Sequence, residues 1–123
     1  MENLLTSTAI TEAPFSLPAR PTEPELLAKY FRVLADAARL RILEALEAEG
    51  ELSVGELVDR LGLAQPNVSN HLACLRWCGF VSARREHRTV YNRIADPGVS
   101  KMVEHARSLL AGNEEHLAAC RRA

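Results

Sequence analysis

A chain of 123 residues makes one small domain with a modest core, so a second subunit is the expected source of further burial. It contains no apolar run approaching the roughly 18 residues that span a bilayer, and its opening stretch "MENLLTSTAITEAPFSLPARP" lacks the basic end and continuous apolar block of a signal peptide, so the expectation is a cytoplasmic protein with no membrane partner. Three cysteines, an odd number, argue against a disulfide framework and for inert core thiols or for metal or redox chemistry.

The net charge of −1 hides an uneven distribution. Residues 1–63 carry six Lys/Arg against eleven Asp/Glu, whereas residues 64–93 carry five arginines (Arg76, Arg84, Arg85, Arg88, Arg93) against the single acid Glu86. Residues 94–123 balance at zero. A basic segment inside an acidic frame is the footprint that a duplex phosphate backbone calls for, because each neutralised phosphate releases counterions.

Taken in chain order, residues 1–21 hold Pro14, Pro18 and Pro21 and no sustained helical period, which predicts a mobile N-terminal arm ahead of a domain over residues 22–123. Thr22 is a plausible N-cap, and Leu26, Leu27, Tyr30, Phe31 and Leu34 follow at the spacing of an amphipathic helix. "DAARLRILEALEAEG" predicts a second helix, with Asp36 as its cap and Gly50 as its stop. In "LSVGELVDRLGL", Ser53 and Glu56 have capping-box spacing and Gly62 closes the element. After a turn of about three residues, "AQPNVSNHLACLRWCG" places Pro66 in a first turn, with Val68, Leu72 and Leu75 as an apolar stripe. Two short helices joined by a tight turn form a helix-turn-helix. "FVSARR" and "TVYNRIA" around "EHR" read as a β-hairpin with a basic tip. A final helix after Asp96-Pro97-Gly98 carries Val99, Met102, Val103, Ala106, Leu109 and Leu110. The fold class is therefore mainly α with a β-hairpin wing, a dimeric winged helix-turn-helix whose first and last helices form the dimer contact through Leu26, Tyr30, Val103 and Leu110. Trp77 is expected to pack between helix and wing.

On a wheel drawn from Gln65, the core stripe leaves two other faces. Gln65, Ser69, Ala73 and Arg76 line one, with Asn70 at its edge, and these small and polar groups suit base edges. Cys74 and Cys78 share another with Asn67 and His71. The expected DNA contacts are Gln65, Asn67, Ser69, Asn70, His71 and Arg76 on the helix and Arg84, Arg85, His87 and Arg88 on the wing, the latter along phosphate or in a minor groove. His71 has two other readings, as a metal ligand or as a residue at the core edge.

Residues four apart on a helix have Cβ atoms about 5–6 Å apart, so the Cys74 and Cys78 thiolates can converge on one ion with bonds of about 2.3 Å or longer. Two ligands are too few for tight binding, and sulfur-only sites favour soft ions. Cys120, on the C-terminal tail of a partner protomer, is the candidate third donor. Inert packing would also explain any one of the three cysteines.

Through "LADAARLRILEAL", "LSVGELVDRLGLAQPNVSNHLACLR" and "GFVSARREHRTVYNRIA", roughly residues 25–120 resemble the ArsR/SmtB family of metal-sensing repressors. The stretch "NVSNHLACLRWCG" is most similar to the CmtR-like cadmium- and lead-sensing branch, whose recognition-helix cysteines match Cys74 and Cys78 and whose third cysteine comes from the C-terminal region. The resemblance implies a homodimer that binds double-stranded operator DNA and releases it on binding Cd(II) or Pb(II), with Zn(II) a further candidate. His105 and His116, eleven apart, match the spacing of the family's zinc- and cobalt-type ligands and form an alternative metal site. That match is incomplete, because Val103 and Ala119 stand where that branch has carboxylates. The "CVC" signature of another branch is absent, since Val54 and Gly55 occupy its place.

A second reading keeps the DNA half and makes Cys74 and Cys78 a redox pair, which requires local unwinding because residues one turn apart rarely meet disulfide geometry. An enzyme is not expected, since no Gly-rich loop or buried acid–base pair supports one.

Overall fold

The structure, a computed structural model, describes residues 19–122. The expected arm over residues 1–21 therefore lies, apart from 19–21, outside the described residues. Helix α1 spans Glu23–Leu34. It starts in a capping box: the Thr22 backbone N–H donates to Glu25 Oε1 at 2.7 Å, and the Glu25 backbone N–H donates to Thr22 Oγ1 at 3.3 Å. These bonds satisfy two donors that a helix start otherwise leaves open. Helix α2 spans Ala37–Glu49, capped by Asp36 and ended by Gly50 at φ 89°, a left-handed conformation open to glycine without a Cβ penalty.

A two-residue strand, β1 (Leu52–Ser53), follows. Ser53 then caps helix α3 (Val54–Leu61) in a second capping box with Glu56. Gly62, left-handed at φ 68°, ends α3, and helix α4 (Gln65–Trp77) begins three residues later with Pro66 in its first turn. The expected helix-turn-helix is thus present with its caps and turn where the sequence places them.

Strands β2 (Val81–Glu86) and β3 (Thr89–Ile94) form the wing, joined at His87 and Arg88. His87 takes φ 59°, the one positive value outside glycine among the described residues. Such a value at the first central position of a two-residue hairpin turn normally selects glycine. β1 pairs antiparallel with β3 through Leu52 opposite Asn92 and Ser53 opposite Tyr91, giving a three-stranded sheet in the order β1-β3-β2. The hairpin expected from sequence is thus two strands of three. A two-residue strand is too short to show a period of two, so its pairing appears only in the fold.

The core lies where α2, α3 and α4 meet the sheet. Ile42, Leu57, Val68, Leu72, Leu75 and Phe80 are wholly buried there, and the Tyr30 ring packs on Phe80 with centroids 4.3 Å apart. Truncating such a leucine to alanine typically costs about 2–5 kcal/mol, so the helix that would read DNA is fixed by its own buried stripe.

The expected single final helix is two. Helix α5 spans Pro97–Ala111 and α6 spans Glu114–Ala119, separated by Gly112 and Asn113. No helix among the described residues is long and apolar enough to cross a membrane.

Candidate DNA interface and thiol site

The α4 stripe Val68, Leu72 and Leu75 faces the core, which turns Gln65, Asn67, Asn70, Ala73 and Arg76 to the surface and leaves Ser69 half-buried. Trp77 does not pack between helix and wing as expected. It is 92% exposed, because its position on the wheel lies between Ala73 and Asn70, away from the buried stripe. His71 is half-buried and turned toward α2, where its Nδ1 accepts a hydrogen bond from Arg39 Nε at 3.1 Å. That position is the core edge, one of its three sequence readings.

Arg39 is a residue that the sequence reading missed. Its Nη1 also donates to the Val33 carbonyl at 3.1 Å, and its backbone N–H donates to Asp36 Oδ1 at 3.1 Å. One guanidinium thus ties the end of α1 and the start of α2 to α4. No spacing rule could have found a bond between residues 32 apart.

The wing arginines divide between the two faces of the sheet. Arg85 and Arg88 make no side-chain hydrogen bond or salt bridge among the described residues, and both are exposed beside the tip residue His87. Arg84 differs from the expectation of a phosphate contact. Its Nε and Nη2 donate to the two carboxylate oxygens of Glu51 at 2.8 Å each, and its Nη1 donates to Glu86 at 2.7 Å. The guanidinium lies 5.0 Å over the Tyr91 ring. These bonds hold the Glu51 carboxyl below, and the Arg84 guanidinium above, their ordinary pKa values, since each partner favours the charged form of the other.

Asn92, wholly buried on β3, donates from Nδ2 to the Leu52 carbonyl at 3.2 Å, and Arg76 Nη1 reaches its Oδ1 at 3.5 Å. The end of α4 is therefore linked to the centre of the sheet through one buried amide, the kind of polar group that must be satisfied where it lies.

Cys74 and Cys78 are both half-buried, packed at the edge of the core rather than away from it. The backbone N–H of Cys78 donates to the Cys74 carbonyl at 3.0 Å, which stacks the two thiols one turn apart. Cys78 is itself the C-cap, just beyond the last helical residue, and Gly79 follows at φ 85°. Burial pushes the Cys78 thiol up from its ordinary pKa, and the neighbouring Cys74 adds to the rise, while Lys29 and Arg39 oppose it.

Cys120 is exposed at the end of α6. Among the described residues, no three His, Cys, Asp or Glu side chains gather closely enough to hold a metal ion, so within one protomer the thiol pair stands without Cys120. His105 and His116 fall on different helices, and His116 Nδ1 lies 3.2 Å from Asn113 Oδ1. The eleven-residue spacing therefore does not run along one helix, because Gly112 and Asn113 interrupt it.

The expected dimer contacts also divide. Tyr30 and Val103 are half-buried against the protomer's own core, whereas Leu26, Leu27 and Phe31 on α1 and Leu109 and Leu110 on α5 are exposed. An open, mostly apolar groove of about 520 Å³ runs between α1, α2 and α5, lined by Phe31, Leu40, Met102 and Leu110 among others.

Known proteins share this arrangement. Residues 36–83, from the α2 cap into β2, match the family described as "Bacterial regulatory protein, arsR family". The chain is 43% identical over 101 residues to a probable mercury resistance operon repressor of Streptomyces lividans, covering 82% of this chain and 80% of that protein. It is 48% identical over 75 residues to the HTH-type transcriptional regulator CmtR of Mycobacterium bovis, covering 61% of this chain and 63% of that one. Among solved structures, the homodimeric winged helix-turn-helix DNA-binding domain of Mb0332 from Mycobacterium bovis superposes with a TM-score of 0.66 at 29% identity, covering 80% of this chain and 95% of that domain. The chain belongs to the ArsR family of winged-helix, DNA-binding transcriptional regulators and is not an enzyme.

Proposed function

We propose that the protein is a homodimeric, cytoplasmic repressor that holds a pseudo-palindromic operator in its metal-free form and releases it when Cys74 and Cys78, with Cys120 of a second copy, capture a soft ion such as Cd(II) or Pb(II). The observation that carries this reading is the position of the thiol pair, one turn apart at the end of the very helix whose exposed side would read bases. The donor set fits soft ions, since thiolates select them over hard ones. The mercury named for the Streptomyces lividans relative is another soft ion. The set is incomplete within one protomer, and a third sulfur from a second copy would make metal capture a link between subunits.

On this reading, Gln65, Asn67, Ser69 and Asn70 meet base edges, while Arg76, Arg85, His87 and Arg88 meet phosphate or the minor groove. The exposed leucines of α1 and α5 and the groove beside them support a dimer, as does the homodimeric Mb0332 domain. Two reading helices must then sit at the spacing of two half-sites. Tying each α4 to the other subunit's tail favours one arrangement of the pair, and any difference in DNA affinity between arrangements is the coupling free energy. A difference of about 3 kcal/mol corresponds to more than a hundredfold in affinity. The test is a Cd(II) titration of the reduced protein that follows thiolate-to-metal charge-transfer absorbance together with operator release. Absorbance and release should saturate together.

One observation favours the redox reading as a second choice. Cys78 caps the helix and precedes Gly79, so little unwinding separates the pair from disulfide geometry, and an oxidant such as a peroxide would take up the two electrons and two protons released.

A further inference from the structure

The acidic partners of Arg84 have no part in that reading, yet their placement bears on how the wing works. Strand β3 is central in the sheet, with β1 on one side and β2 on the other. Arg84 lies on β2 directly opposite Tyr91 on β3, and Tyr91 is in turn opposite Ser53 on β1. Glu51 immediately precedes β1. A guanidinium that starts on β2, passes over the Tyr91 ring and ends in a two-oxygen grip by Glu51 therefore crosses all three strands. Residues 82, 84 and 86 share one face of β2, while Val81, Ala83 and Arg85 share the other. That second face is the one on which Val81 is buried and on which Arg76 of α4 reaches Asn92, the partner of Ala83. Arg84 thus leaves the face that packs on α4, and each of its three nitrogens already donates to a carboxylate.

We infer that Glu51 is a positioning residue for the wing: with Glu86 it straps Arg84 across the sheet, setting the angle of the hairpin and withholding that cation from phosphate. The inference rests on the DNA-binding reading for its effect on affinity, but the strap itself belongs to the protein alone. A bidentate carboxylate on an arginine fork matches the geometry that a phosphate would offer, so Glu51 occupies Arg84 as a phosphate would. The wing-tip arginines left for DNA are then Arg85 and Arg88.

The test uses the full chain on a random-sequence duplex, where affinity is purely electrostatic and the slope of log K against log salt counts phosphates at about 0.9 each. Arg84→Ala should leave that slope unchanged, whereas Arg88→Ala should flatten it by about 0.9. Glu51→Gln combined with Glu86→Gln should steepen it by about 0.9 by freeing the guanidinium, and adding Arg84→Ala to that pair should restore the original slope. A flattening of about 0.9 from Arg84→Ala alone would identify Arg84 as a phosphate ligand and overturn the proposal. Amide hydrogen exchange in the unbound protein decides the strap separately. Glu51→Gln should speed exchange across residues 81–94, and unchanged exchange there would overturn the strap whatever DNA does. A wild-type protein with no salt-dependent affinity would instead refute the DNA-binding reading, leaving exchange to decide for Glu51.

Discussion

Arg39 Nε donates to His71 Nδ1 at 3.1 Å, and this bond joins α4 to α2, the helix that begins the family's matching region. Because the same guanidinium also serves the Val33 carbonyl, it uses the fork that lysine lacks. Arg39→Lys should therefore lose at least one of the two bonds and destabilise the domain by about 1–2 kcal/mol. Urea unfolding at neutral pH measures this, and a variant as stable as wild type would show that the bridge contributes nothing net.

Asp36 provides the acid-sensitive part of the same junction. Its carboxylate accepts the Arg39 backbone N–H, which holds its pKa below the ordinary value, and nearby His71 and Arg39 lower it further. A carboxyl whose folded pKa is depressed contributes stability that is present above its unfolded pKa and is lost as pH falls through the folded one. Unfolding free energy should thus fall on acidification below the ordinary aspartate range. Asp36→Asn, which keeps a capping oxygen but does not titrate, should show a shallower fall. Equal acid profiles for the two proteins would contradict this.

Base reading and phosphate binding should separate by residue. Asn70→Ala should reduce discrimination at one base pair, with a good bidentate contact worth about 1–3 kcal/mol. Arg85→Ala and Arg88→Ala should weaken binding to all sequences and lower the salt slope. Selection from a randomised operator pool, run beside salt titrations, measures both. A uniform loss over all sequences from Asn70→Ala would remove it from the base-reading set.

Much of this fold is legible in the sequence because its boundaries are set locally. Thr22 with Glu25, Ser53 with Glu56, Gly50 and Gly62 each do within a few residues what their chemistry allows. The α5–α6 break is also written locally, at Gly112 and Asn113, just after Leu110 ends the apolar stripe. The outward position of Trp77 follows from its wheel angle, and expecting any tryptophan to be packed overrode that angle. The Arg84–Glu51 and Arg39–His71 bonds join residues 33 and 32 apart. Their existence depends on how strands and helices assemble, which no local pattern encodes. The same holds for the proposed role of Cys120: Cys74 and Cys78 are adjacent by helical spacing, whereas a donor reaching them from a second copy would be a property of the assembly.

Burial holds the Cys78 thiol above its ordinary pKa, which favours its protonated form in the metal-free protein. Metal capture must then displace protons, and affinity should rise with pH across the neutral range and beyond the ordinary thiol value. Competition against a chelator of known affinity at several pH values measures the slope. A pH-independent affinity would mean that the thiols do not bind the ion.

If the thiol pair on α4 converts metal capture into operator release, that coupling is read in release at a fixed free Cd(II) concentration by Cys74→Ser, Cys78→Ser and Cys120→Ser. Serine keeps the size and loses the soft donor. Each variant should fold and bind operator as wild type does. The Cys74 and Cys78 variants should stay bound when Cd(II) is added, and the Cys120 variant should bind metal weakly and without release. Wild-type release by the Cys74 and Cys78 variants would reduce the pair to packing at the edge of the core and leave His105 and His116 as the candidate metal ligands.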